Sequence, residues 1–143
     1  MYSIKNVKTF RGMEGQGFNA DLYKDGKKIA FVMDSAQGGC LDFEWIDRKE
    51  EKIINDYAKT LPKSKTFGIE IEMDADIIID NLVNDYLLDK EYKRKCKNNV
   101  VFKTKEDEEG SYNVVKAEYN PDIKKRLMEK YPTITEFINE RYL

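Results

Sequence analysis

Asp25-Gly26 sits between two alternating runs, Phe18 to Tyr23 and Lys28 to Met33, and no other feature restricts the fold of this chain so tightly. Both central residues of a type I′ turn need φ > 0, which Asp tolerates and Gly prefers, so the dipeptide predicts a tight hairpin. Strands on either side extend it. Tyr2 to Phe10 alternates as a half-buried strand, weakened by Asn6 and Lys8, and the loop Arg11 to Gly17 joins it to the hairpin. Beyond a turn at Asp34 to Gly39, the segment Cys40 to Ile46 places Leu41, Phe43 and Trp45 on one side, with Asp42 and Glu44 on the other.

Helical spacing takes over next. Asp47 is placed to cap Arg48 to Thr60, whose Ile53, Ile54 and Tyr57 form a narrow apolar stripe, and Leu61-Pro62 closes the segment. Phe67 to Met73 reads as a short strand. Asp74 or Asp76 then caps a longer helix to about Lys97, with Ile79, Leu82, Val83, Tyr86 and Leu87 on one face. Val100 to Thr104 pairs with Tyr112 to Tyr119 across an acidic turn, Glu106 to Gly110. Pro121 opens a helix running to Lys130; after Pro132, Thr133 is expected to cap a last helical turn or two carrying Ile134, Phe137 and Ile138.

The expected fold is a single α+β domain over residues 1–143. A mostly antiparallel sheet, the N-terminal strand meander plus the later hairpin, carries helices on one face. With 143 residues, 41% of them hydrophobic, such a chain can bury a core without a metal or disulfide.

Composition narrows the function classes. The 25 basic and 27 acidic residues nearly cancel, which argues against a nonspecific nucleic-acid binder. Histidine is absent, so serine-histidine and cysteine-histidine triads are excluded and the commonest zinc ligand is missing. Cys40 and Cys96 are two distant lone thiols. No segment is apolar over the roughly 18 residues a bilayer requires, and Met1 to Lys5 lacks a signal-peptide core, so the cytoplasm is the expected compartment and no membrane contact is expected. Neither a cofactor, a bound metal nor a catalytic constellation is expected.

Four features could still carry chemistry. Gly12, Gly15 and Gly17 invert the spacing of a dinucleotide fingerprint and precede a strand, so they read as a turn supplying φ > 0, with a ligand loop as the alternative. Glu70, Glu72, Asp74 and Asp76 form one carboxylate row and Asp42 and Glu44 another; were the rows to meet, they could hold magnesium beside a phosphate substrate. From Glu70 to Asp89 there is no basic residue, so Asp74, Asp76, Asp80, Asp85 and Asp89 are the candidate contact for a partner protein, against the plainer reading of solvated helix charge. Lys90, Lys93, Arg94, Lys95 and Lys97, with Tyr92 among them, are the alternative, a nucleic-acid contact, and they would favour the Cys96 thiolate. Cys40, Phe18, Phe43 and Trp45 read as core.

The stretch FRGMEGQGFNADLYKDGKKIAFVMDSAQGGC, from Phe10 to Cys40, resembles small accessory proteins of bacteriophages and prophages. VVFKTK, YNVVKAEYNPDIKKRLMEKYP and FINER, in the last third, resemble the other half of the same pattern. The resemblance implies an accessory product that acts by binding a host protein, as anti-defence inhibitors do. It carries no motif that names catalytic residues, the partner or the oligomeric state.

Overall fold

A computed structural model describes the chain except Glu14, Gly38 and Phe67, so the middle of the glycine loop, one residue of the Asp34–Gly39 turn and the expected first residue of the Phe67 strand lie outside the described residues. The fold is α+β with antiparallel sheets, in two compact units, Met1–Tyr86 and Leu87–Leu143.

The N-terminal unit opens with the four-stranded meander β1 (Tyr2–Gly12), β2 (Gly15–Lys24), β3 (Lys27–Asp34) and β4 (Asp42–Trp45), paired in chain order. Asp25 and Gly26 adopt φ of 51° and 84°, the conformation that the β2–β3 turn demands. Leu22 pairs with Ala30 and Ala20 with Val32, and all four are buried. The helices α1 (Lys49–Lys59) and α2 (Ala75–Cys96) also bury apolar side chains: Ile54, Ala58, Ile79 and Val83. Asn19, Asp21, Phe31 and Met33 occupy the opposite face.

Asn6 weakens the alternation of β1 for a physical reason. Lys5 pairs with Asp21 and Lys8 with Asn19, so Asn6 and Val7 together oppose the single residue Ala20. This is a β-bulge; Asn6 takes φ of 55° and Val7 becomes buried. A bulge flanked by lysines also protects β1, an 11-residue edge strand, from pairing with other chains.

The helix starts follow the sequence closely. Asp47 Oδ1 accepts from Lys49 N at 3.0 Å, Asp74 Oδ1 from Ile77 N at 2.9 Å, and Asn55 Oδ1 ties α1 to Ala75 N at 3.2 Å. The apolar stripe of α1 is turned one position from expectation: Ile54 and Ala58 are buried, whereas Ile53 and Tyr57 stay 43% and 39% exposed. Between the helices a small hairpin pairs β5 (Ser64–Thr66), which the sequence reading missed, with β6 (Ile69–Ile71).

The C-terminal unit is built round β7 (Val100–Thr104), flanked by β8 (Asn113–Val115) and β9 (Ile134–Phe137), with α3 (Pro121–Lys130) between those two in sequence. The later hairpin therefore forms a sheet of its own. Val100, Val101 and Phe102 are all buried because β7 is covered on both faces. Val101 packs with Tyr92 of α2 and with Ile138; Val100 and Phe102 pack with Leu127 of α3 and with Phe137. The expected helix after Thr133 is corrected: Ile134 to Phe137 is a strand, followed by a 3-10 helix from Ile138 to Tyr142. The alternating Ile-Thr-Glu-Phe completes the second edge of β7, pairing Phe137 with Phe102. Asn139, 4% exposed, locks this end: its Oδ1 accepts from Val101 N at 2.7 Å and its Nδ2 donates to Asn99 O at 2.9 Å.

Candidate functional site

Four carboxylates of the N-terminal unit lie near the start of α2, and three of them hold backbone. Asp34 Oδ1 accepts from Ala36 N at 2.9 Å, closing the turn after β3 and holding Ala36 at φ of 57°. Asp74 caps α2, and Asp76 Oδ2 accepts from Leu41 N at 2.9 Å, anchoring the entry to β4.

Asp80, one turn further along α2, makes no such bond among the described residues. Its carboxyl is held above the ordinary aspartate range, first by partial desolvation and then by repulsion from Asp34, Asp76 and Asp74. The side chain still reaches water, so crowding acts on a group a partner could touch. Among the described residues no lysine or arginine forms an ion pair with any of the four.

The sequence candidates separate accordingly. Asp74, Asp76 and Asp80 come together. Asp34 joins them from the end of β3, which spacing along the chain did not reveal, since only the sheet brings it to the helix. Asp85 is exposed on α2 and does not contribute to the Asp80 shift. Asp89 is already occupied: its carboxylate accepts from Tyr142 Oη at 2.7 Å and lies 3.3 Å from Lys93 Nζ. The tyrosine hydrogen bond, chiefly, holds Asp89 below its usual range, and the same contact pushes Tyr142, already raised by burial, up to about 12.

The basic cluster splits as well. Lys93 faces Asp89, and Lys95 lies 3.9 Å from Glu91 and over the Tyr112 ring. Lys90, Arg94 and Lys97 have no ion pair among the described residues. Tyr92 is 1% exposed, so it belongs to the core and offers no stacking surface. Burial raises the Cys96 thiol pKa, and Arg141 offsets this only in part, against the expected thiolate. Cys40, expected in the core, is exposed.

The three loop glycines have structural reasons of different kinds. Gly15 has φ of 114°, whereas Gly12 and Gly17 are sites of close approach. A Cβ on Gly12 would lie 2.9 Å from the Ala36 carbonyl oxygen, and one on Gly17 would lie 2.7 Å from the Phe10 ring. The two carboxylate rows do not combine: among the described residues no three acidic or cysteine side chains converge closely enough to hold a metal. Phe18 is buried as expected, while Phe43 and Trp45 are half-buried and stack in parallel, with centroids 4.9 Å apart.

On the open face of the meander a cleft of about 430 Å³ is lined by Asn6, Val7, Lys8, Asn19, Asp21 and Phe31. Asn6 Nδ2 donates to Asp21 at 2.8 Å across it, and the bulge is what turns Asn6 that way. Among the described residues no helix is long and apolar enough to cross a membrane. No protein-family model, curated protein or solved structure matches the chain.

Proposed function

We propose that this chain is a noncatalytic interaction protein whose N-terminal unit docks carboxylates onto a basic surface of another protein. The observation that supports this reading most is Asp80. Three neighbouring carboxylates are committed to backbone N–H groups, and they hold a fourth, water-accessible one in an unfavourable field, with no ion pair to it among the described residues. A lysine or arginine brought by a partner would remove that repulsion, so complementary charge adds both attraction and specificity. Occupying a cleft that otherwise receives phosphate is one way such a surface inhibits its target, in line with an accessory product that restrains a host protein.

The test uses tagged protein as bait in nuclease-treated bacterial lysate, with bound proteins identified by mass spectrometry. Asp80→Lys/Asp85→Lys is the informative variant, because neither side chain holds backbone; Glu129→Lys on α3 serves as the control. A stoichiometric partner retained by wild type and control, and reduced at least about tenfold by the double variant, supports the reading, since losing ion-pair contacts of this kind is worth about 1.4 kcal/mol or more. Equal capture by the folded double variant would remove the carboxylates from the interface.

A further inference from the structure

The C-terminal half of α2 has chemistry of its own. A groove of about 580 Å³ is lined by Leu87, Lys90, Glu91, Lys93, Arg94 and Lys97. Two of its charges are already matched. Glu91 accepts from Tyr112 Oη at 2.8 Å and faces Lys95, and Lys93 faces Asp89. The surplus is Lys90, Arg94 and Lys97. Lys90 and Arg94 are separated by about 6 Å along the helix axis, and Lys97, one residue past its end, brings the span to about 10 Å. Four successive phosphates on one strand of B-form DNA advance by a similar length, at roughly 3.4 Å per nucleotide.

From this array we infer that Lys90, Arg94 and Lys97 form a contact for the phosphate backbone of a nucleic acid, separate from the carboxylates of the N-terminal unit. What surrounds the cations favours phosphate over other anionic partners. The aromatic in this segment, Tyr92, is enclosed by its own core and gives the cations no hot-spot anchor beside them. A helix that lies on a membrane needs a free apolar face, whereas Leu88 and Tyr92 are packed with Val101 and Ile138. Outward, the groove presents Leu87 among five charged side chains. Charge belongs to this unit as a whole: residues 87–143 hold 13 basic and 11 acidic side chains, against 12 and 16 in residues 1–86. With no stacking ring among the three cations, the contact is independent of sequence.

The experiment follows fluorescence anisotropy of a labelled, mixed-sequence DNA duplex and of the matching single strand, using the full chain. Wild type binds at low salt, and its Kd rises about 40-fold between roughly 50 and 200 mM salt, as three phosphate contacts require. Lys90→Glu/Arg94→Glu/Lys97→Glu abolishes binding while circular dichroism and melting temperature stay unchanged. Lys93→Gln/Lys95→Gln binds as wild type does. Failure to bind either probe at low salt, an affinity indifferent to salt, or equal binding by the folded triple variant would overturn the inference. So would tighter binding to poly-glutamate or to phosphatidylserine vesicles than to DNA of matched charge.

Discussion

The meander and the C-terminal sheet solve the same problem, burying a sheet face, in different ways. In the meander, Ala20, Leu22, Ala30 and Val32 are buried while Asn19, Asp21 and Phe31 lie on the other face, so the strands alternate. In the C-terminal unit, β7 is enclosed on both faces and runs Val100-Val101-Phe102 without alternation. The electrostatics differ in parallel. Carboxylates of the first unit hold backbone and leave Asp80 crowded, whereas Asp89 of the second is satisfied by Tyr142 and Lys93. One helix thus presents acids without bases at its start, and at its end bases that exceed their paired acids.

Substitutions can break this comparison at several strengths. Leu22→Ala, at a fully buried site, should destabilise the meander by about 3 kcal/mol. Hydrogen exchange should accelerate first in β2 and β3; an equal acceleration in β7 would mean the two units lose structure together. Asn139→Leu removes the acceptor of Val101 N and a donor to Asn99 O, costing about 2 kcal/mol, with lost protection concentrated in β7 and the 3-10 helix. Tyr92→Phe goes the other way. Among the described residues the Tyr92 hydroxyl is buried without a partner, so its deletion should raise stability by about 1 kcal/mol in denaturant titration, and a loss would contradict that reading.

Smaller effects test the charges. Asp80 has a raised pKa in the folded state, so its ionised form opposes folding, and this penalty disappears as pH falls through the folded pKa. Asp80→Asn should therefore stabilise at neutral pH by a few tenths of a kcal/mol after solvent screening, near 2 °C in melting temperature, with the advantage vanishing in acid. At the opposite extreme, burial and their carboxylate partners push Tyr119 and Tyr142 up to about 12 from the ordinary 10. Their contribution is complete below pH 10 and is lost as pH rises through 12. Two phenolates should accordingly appear late in an ultraviolet titration, and Tyr142→Phe should remove one of them.

What could be read in advance follows the range of the interactions. Turn and cap chemistry is local: Asp25-Gly26, Asp47, Asp74 and Pro121 identified their elements directly. The bulge at Asn6 appeared only as a weakened alternation, because one extra residue shifts the period without marking its side. β9 reads as a helix because Thr133 imitates a cap, and its partner, Thr104 to Phe102, lies some thirty residues upstream. The same distance effect concealed Asp34 from the carboxylate group and Tyr142 from Asp89. Charge runs along a helix record which residues share it, but pairing with Tyr142 or Leu41 N is decided by elements far away in sequence.

Site-resolved carboxyl titration by NMR tests the central claim most directly, with Asp80 and Asp89 followed in the same sample. The account predicts that Asp80 titrates above the usual aspartate range and Asp89 below it, and that a bound basic partner lowers Asp80. An Asp80 that titrates at or below the Asp89 value would contradict it, because the carboxylates of the N-terminal unit would then hold no unmet charge.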